Sequence, residues 1–454
     1  MANSERLNTA NTVSFWGSQQ KKLGDGKRVT KDIDVDVAII GGGFTGLSTA
    51  REILKDEPTM KVAVLESHQV GYGASGRNGG FNMTLFGLEP DITMLRWGKE
   101  RSIAAQDYMV QAVNNVRELV REYKIKSDYE HTGMVRVAYS DSQLKRLEHS
   151  LEMFEKLGTR ADYVFQDKNE IQSSIHSPQY RAGVFEANSG ILNPYKHVRE
   201  LKRIAEQYGA TVYENTPVLN IERSNGKITL HTPEGKVSCN KLVIAVNAWS
   251  GKIVGLPRIR NRQTPIWTSQ VVTEPLSKQQ WKDIGWDERQ SVEDNRQLIH
   301  YFRRTACGRF TMGGGKVSNP KGKEMATMDT RKTWEALEAH TKWMFPQLKD
   351  LKFEYRWGGP VSVNLDMAPE IGFIGDERVI YANGCIGHGV AITQLNGRTI
   401  ADLILEKKTE LSSIWFVNRK AIPWPPGLFG DAAYYAITGA LALWDKIDER
   451  KLDK

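Results

Sequence analysis

Asp34-Val-Asp-Val-Ala-Ile-Ile-Gly-Gly-Gly-Phe-Thr-Gly46 is the stretch that decides the fold. A β-branched run ends at Ile40, a glycine turn follows, and Leu47-Ser-Thr-Ala-Arg-Glu-Ile-Leu54 continues with helical spacing. After a turn around Pro58, Lys61-Val-Ala-Val-Leu-Glu66 reads as a second buried strand, so the segment predicts a βαβ unit. Within that unit the Gly41-x-Gly43-x-x-Gly46 spacing is a dinucleotide fingerprint. Gly41 permits the tight turn, Gly43 lets a diphosphate approach the backbone, and Gly46 lets helix and strand pack closely. The N–H groups at the helix start, by Phe44 and Thr45, face the anion. Glu66, about 20 residues past Gly46, is placed to accept from a ribose hydroxyl, with Ser67 beside it.

The rest of the chain fits a globular protein. Its 454 residues allow two to four domains, and 40% hydrophobic with 26% charged residues excludes disorder and low-complexity arrays. Lys and Arg number 62 against 54 Asp and Glu, a net +8 scattered in small patches rather than gathered in a phosphate-binding face. Nucleic acid is therefore not an expected partner. Cys239, Cys307 and Cys385 are far apart and form no CxxC pair, which argues against a disulfide framework. The nine histidines show no HExxH or paired ligand spacing, so no metal is expected. The opening residues lack an apolar leader and no 18-residue apolar run occurs, so the expected location is the cytoplasm.

Outward from the fingerprint, residues 1–32 read as a polar N-terminal arm, interrupted by Phe15-Trp16, which could dock on the body. Amphipathic helical patterns dominate 90–180 and strands dominate 181–250, with Asn225-Gly226 a hairpin turn. Near 378 a buried strand, Val379-Ile-Tyr-Ala, meets a glycine loop and then a helix to about 406. The expectation is an α/β protein. A discontinuous Rossmann-type nucleotide domain takes 33–90, 190–255 and 357–408. A second domain with a mixed or antiparallel sheet and helices takes 91–189 and 256–356, and a tail follows over 409–454.

A second glycine-rich loop, Gly73-Ala-Ser-Gly-Arg-Asn-Gly-Gly80, lies just past the second strand and suits an extended dinucleotide running beneath the backbone. With it, the chain resembles the FAD-dependent amine and amino-acid oxidoreductases, which include D-amino-acid, glycine, sarcosine and γ-glutamylputrescine oxidases. Matching pieces are Gly183-Val-Phe-Glu-Ala-Asn-Ser-Gly-Ile-Leu-Asn-Pro194, Glu214-Asn-Thr-Pro-Val218, Ala245-Val-Asn-Ala-Trp249, Trp357-Gly-Gly-Pro360 and Gly384-Cys-Ile-Gly-His-Gly-Val-Ala391. The resemblance spans roughly 33–406 and is closest to the γ-glutamylputrescine-oxidase-like branch. It implies that FAD is held by Ala74, Ser75, Gly76, Arg77, Asn78, Gly79, Gly80 and Gly358, by Val218 at the adenine end, and by Gly387, His388, Gly389 and Val390 at the flavin ring. It also implies oxidation of a small amine or amino acid by hydride transfer to flavin N5. The resulting imine hydrolyses, and oxygen or another acceptor reoxidises the flavin. The dipole of the helix that starts at Gly387–Val390 would stabilise charge on the reduced ring.

Other roles stay open in the sequence. His388 suits either acid–base work or a backbone hydrogen bond. Ile299-His-Tyr-Phe-Arg-Arg-Thr305 alternates like a strand, so Tyr301 and Arg303 share one face. An Arg–aromatic pair there could grip an acidic group on the substrate, or that face could be solvent. Trp267 and Gln270 are further pocket candidates. The strand Arg309-Phe-Thr-Met-Gly lacks the lysine that sarcosine oxidases carry near the flavin, which leaves oxidase against dehydrogenase undecided. No cysteine sits in a firm match for covalent flavin, so non-covalent FAD is expected. Two rivals are FAD-dependent modification of an amine on a tRNA base, and a flavin-holding binding protein without turnover. The tail holds Leu428-Phe-Gly-Asp-Ala-Ala-Tyr-Tyr-Ala-Ile-Thr-Gly-Ala-Leu-Ala-Leu-Trp444, helical and apolar over much of its circumference. Docking on the body or on a second subunit is expected of it, with an interfacial membrane anchor as the alternative.

Overall fold

A computed structural model describes residues 14–449 apart from 21–23, 25, 160, 161, 225, 321–324, 326 and 327. The fingerprint strand Ile33–Ile40 sits in the middle of a sheet, paired in parallel with Lys236–Ile244 on one side and Val62–Leu65 on the other. Thr211–Tyr213 and Val379–Asn383 extend the parallel ladder outward, and Glu370–Phe373 closes one edge antiparallel. The inner strands read Val-Ala-Ile-Ile and Val-Ala-Val-Leu because both faces of a parallel sheet are covered. The helices Phe44–Asp56, Lys99–Glu122, Pro194–Gln207 and Gly389–Ile404 bury one face, while Ile221, Ile228, Leu230 and Leu256 help cover the other.

A second sheet runs in the order 353–363, 264–275, 309–318, 300–304, 291–294, 134–138, 182–186, 163–166. Its pairings are antiparallel except between Ser291–Asp294 and Met134–Ala138. Aromatic side chains, among them Trp286, Phe302, Phe310 and Phe345, fill its outer face. Phe81–Asn82 and Gly190–Ile191 form a small third ladder, and this α/β architecture with two large sheets is the expected one.

Two boundaries differ from expectation. Residues 357–363 belong to the second sheet, because Phe353–Val363 pairs with Thr264–Pro275 along its length. The helix Lys99–Glu122 buries Ala105, Met109, Val113 and Val116 in the core of the nucleotide domain instead of in the second domain. The helix Pro194–Gln207, inside the stretch expected to be strands, starts on Asn193, whose side chain accepts from Lys196 N, with Pro at its first turn. The hairpin 220–231 forms as expected, although Asn225 of its turn lies outside the described residues.

The first and last described segments both dock. Phe15 and Trp16 pack on Tyr195, Val272 and Trp357, as their isolation in a polar arm suggested. The tail helix Gly427–Glu449 also rests on the body, but not by the side its composition suggested. Its buried positions include Tyr434, Asp445 and Asp448, and the polar stripe faces inward.

Candidate active site

A cleft of about 400 Å³ opens at the carboxyl ends of the parallel strands, lined by Ile40, Leu65, Ala245 and Ala382 and by the loops that follow. This is where an open α/β sheet places its ligand. Gly41 has φ of +107°, and a Cβ there would lie 2.5 Å from the Ala245 carbonyl oxygen. A Cβ on Gly46 would lie 2.0 Å from the Gly41 oxygen, so this glycine lets the helix close on the turn. Gly43 differs from both. A Cβ there would meet only the Ser75 hydroxyl, at 2.9 Å, so its backbone faces the cleft. No side chain caps the helix at Gly43, and Phe44 N donates to Ser75 Oγ at 3.0 Å. The uncapped amino end and the open approach at Gly43 fit a diphosphate.

At the far wall Glu66 accepts from Gly42 N at 2.9 Å and His68 N at 3.0 Å. Burial raises its pKa against the pull of those hydrogen bonds. Pro217 and Val218 close that end, and the rings of His68 and Tyr72 stack at 3.8 Å on its rim. Gly387, Gly389 and Val390 line the opposite end, where Gly389–Ile404 offers a second helix start with no side-chain cap. A cleft bounded by two uncapped helix starts and one acidic end fits an extended dinucleotide such as FAD. Thr45, Ser67, Ala74, Ser75 and Asn78 line it as well. Trp249 and Cys385, inside two of the matching pieces, also line it, as do His68, Tyr72 and Lys252, which had no local sequence signal.

Several expected cofactor residues support the loop instead of lining the cleft. Arg77 is buried, donating from Nε to the Tyr72 carbonyl at 2.6 Å and from Nη1 to the Gly358 carbonyl at 3.2 Å. The Arg77 carbonyl in turn accepts from Gln270 Nε2 at 2.9 Å and Trp357 Nε1 at 2.8 Å. Gln270 thus fastens the glycine loop to the second sheet. Gly358 makes room for the Trp267 indole, 2.5 Å from where its Cβ would be. Gly76 packs against the Gly71 carbonyl, and Gly79 and Gly80 adjoin Tyr301 and Arg303.

The alternation around Arg303 is as expected, but its partners are not. Phe302 enters the aromatic core and Arg304 covers the Trp281 ring, while Tyr301 and Arg303 face the glycine loop. Arg303 Nε donates to the Gly79 carbonyl and Nη2 to the Leu192 carbonyl, each at 2.7 Å, and the guanidinium lies 4.8 Å from the Trp16 ring centroid. Burial, with Arg289 nearby, lowers its pKa to about 9. The fork expected for a substrate acid is occupied by backbone carbonyls.

A testable consequence follows. Lysine has one nitrogen and cannot reach both carbonyls, so Arg303→Lys loses a charged hydrogen bond of about 1.5–3 kcal/mol. A melting temperature lowered by several degrees and weaker FAD retention are expected. With FAD restored, the activity loss should be the same for every substrate. A loss confined to acidic substrates would return Arg303 to the substrate.

Beside Tyr301 in the sheet lies a group that the sequence did not single out. Glu293 pairs in register with Tyr301 on one side and Arg136 on the other. It is buried, and its carboxyl has no hydrogen-bond partner among the described residues. Burial pushes its pKa up to about 8, although Arg136 opposes the shift. Arg136 Nη1 grips both oxygens of Glu89, at 2.8 and 2.7 Å, and Ser150 Oγ donates to the same carboxylate at 3.1 Å. Burial raises Glu89, but Arg136 outweighs it and holds the group ionised below the usual carboxylate range. His388 lies close enough to feel both charges; burial lowers its pKa to about 4, and its Nδ1 is buried with no hydrogen-bond partner among the described residues. Burial raises the Tyr301 hydroxyl to about 12. At neutral pH this part of the face therefore carries the closed Glu89–Arg136 ion pair, a neutral Glu293 carboxyl, a neutral imidazole and a phenol, with the charged Arg303 guanidinium held by backbone carbonyls beside them.

Elsewhere, Asp294, His300 and His340 come together, a grouping with no local spacing in the sequence. Asp294 accepts from His300 N at 2.8 Å and contacts His300 Nδ1 at 2.8 Å, so its carboxylate is already bound.

Comparison with known proteins shows the family and the fold. Gamma-glutamylputrescine oxidoreductase of Escherichia coli K12 is 29% identical over 96% of this chain and 100% of its own length. Glycine oxidase of Bacillus subtilis is 24% identical over 84% of this chain and 95% of its own. Among solved structures, glycine oxidase from Geobacillus kaustophilus superposes with TM-score 0.71 at 19% identity, covering 85% of this chain and 99% of that one. L-proline dehydrogenase from P. horikoshii gives 0.70 at 22%, covering 87% and 97%. The model of the DAO family of FAD-dependent oxidoreductases matches residues 36–403, both sheets without the tail, and the chain belongs to that family.

Proposed function

We propose that this enzyme oxidises the C–N bond of a small amine whose nitrogen is received by Glu293. The supporting observation is the Glu293 carboxyl, buried, unpartnered and between Arg136 and Tyr301, on the sheet face that also carries the cofactor loop. Such oxidation needs the free amine, because the electrons leave a carbon next to a nitrogen lone pair. An ammonium arriving at an ionised Glu293 transfers one proton to it and stays hydrogen-bonded as the neutral amine. Arg136 keeps Glu89 charge-balanced, so Glu293 is the acceptor free to take that proton. His388 Nδ1 offers a second neutral acceptor near the same pair. Tyr301 lies over Gly313 on the same face.

Bound FAD supplies the two-electron acceptor. The carbon–nitrogen single bond becomes an imine, and water then yields a carbonyl compound and a smaller amine or ammonia. Oxygen or another acceptor completes the cycle. Arg303 and Arg136 are both engaged within the protein, so neither is free to grip a carboxylate next to the reacting carbon. The putrescine end of the compound in the E. coli relative's name, an amine on a carbon that bears no carboxylate, suits this better than the amine of an α-amino acid. Three free cysteines, Cys239, Cys307 and Cys385, suit a reducing cytoplasm. Screening the FAD-loaded protein anaerobically against diamines, monoamines and α-amino acids tests the reading. Loss of the flavin absorbance is expected with amines lacking an α-carboxylate. Reduction by α-amino acids alone would refute it.

A further inference from the structure

The tail helix is inside out. Asp445 accepts from Gln297 N at 2.7 Å and from Leu298 N at 2.9 Å. Asp448 accepts from Ser142 Oγ at 3.0 Å and Arg146 Nη1 at 2.9 Å. These acids share a stripe at three- and four-residue spacing with Tyr434, Thr438 and Leu441, and that stripe lies on the body. The opposite side shows Leu428 (85% exposed), Phe429 (78%), Tyr435 (63%), Leu443 (60%), Trp444 (54%) and Ile447 (48%). Ala432, Ala436, Gly439 and Ala440 fill the positions between them, and among the described residues of this face Lys446 carries the charge. A helix facing only water would bury its apolar side and expose its acids. This one does the reverse and holds the arrangement with four hydrogen bonds to buried carboxylates.

We propose that this helix seats the enzyme on an anionic lipid surface, lying in the interface with its apolar face in the headgroup–acyl boundary. No helix among the described residues is long and apolar enough to cross a membrane, so it lies on the bilayer and does not span it. A helix of 23 residues is about 35 Å long, with a face about 10 Å wide. Two copies pairing through it would bury roughly 700 Å², well below the ~1,200 Å² of a stable interface. A lipid interface accepts a single helix, to a depth of about 5–10 Å. Phe429, Tyr435 and Trp444 are residue types that favour this zone. The docking turns the acids Asp445 and Asp448 into the body and leaves Lys446 outward, with exposed Lys420 just upstream, so the face is complementary to anionic headgroups.

The test uses the full-length, FAD-loaded protein with sucrose-loaded vesicles of phosphatidylcholine alone, or with a third phosphatidylglycerol. Sedimentation with the anionic vesicles is expected, weakened by 0.5 M salt. It should fall at least ~10-fold in the double variant Phe429→Glu, Trp444→Glu. Both positions point outward, so flavin content, melting temperature and turnover should not change. Failure of the wild-type protein to sediment with anionic vesicles overturns the proposal. So does a dimeric mass in solution that the double variant converts to a monomer, because a second copy would then be the occupant.

Discussion

Gly43→Val is expected to give a colourless protein. A Cβ at Gly43 meets no backbone and only the Ser75 hydroxyl, so the fold tolerates it at the cost of a side-chain shift. The two methyl groups would then stand in the cleft, over the uncapped amino end of Phe44–Asp56. A diphosphate held there by backbone N–H groups and the helix dipole would lose its closest approach. At least ~10-fold weaker FAD retention is expected, equivalent to about 1.4 kcal/mol, measured by flavin absorbance per protein after gel filtration. Gly46→Val is the contrast. Its Cβ would sit 2.0 Å from the Gly41 oxygen, so it should cost folding as well as flavin. Full FAD occupancy in folded Gly43→Val would remove the cofactor from this end of the cleft. Acid denaturation of the wild-type protein should leave the flavin in the supernatant, as expected for non-covalent FAD. Colour in the precipitate would direct attention to Cys385, which borders the cleft.

Glu293→Gln should produce the largest change in turnover. Burial raises the Glu293 pKa to about 8, so in the free enzyme its carboxyl is neutral below that pH and ionised above it. Because the ionised form receives the ammonium proton, kcat/KM should rise with pH through about 8. Glutamine keeps the shape but cannot take a proton. A loss on the order of 10²-fold in kcat/KM at pH above 8 is expected, together with loss of that inflection and with unchanged flavin content. An unaltered pH profile in the variant would show that Glu293 only fills space, and His388 Nδ1 would become the acceptor to test.

The cofactor half of the site was legible because its chemistry is local. Strand, glycine turn and helix lie within 33–56, and a turn of this kind holds a dinucleotide through its backbone, so Gly41, Gly43 and Gly46 announce a candidate site by type and spacing. The alternation of Tyr301 and Arg303 was legible for a similar reason, since a strand has a fixed period. What each face touches was not, because Gly79 and Leu192 reach Arg303 from separate segments of the other domain. Glu293 escaped notice because Ser291–Asp294 is a four-residue strand with no internal pattern. Its partner Arg136 comes from Met134–Ala138, far away in the chain and joined by a parallel pairing. The tail shows the same limit. Its apolar circumference could be read, but the inward side was set by Gln297, Leu298, Ser142 and Arg146, which no local pattern links to Asp445 and Asp448.

The most direct test of the central claim is a single anaerobic turnover with quantified products. Protein carrying one FAD is mixed with an amine lacking an α-carboxylate, and both the flavin absorbance and the released carbonyl compound are followed. C–N oxidation predicts that the oxidised-flavin band disappears, with one carbonyl group and one amine or ammonia formed per FAD reduced. A yellow, folded protein whose flavin stays oxidised across the whole amine panel, with no carbonyl released, would contradict it.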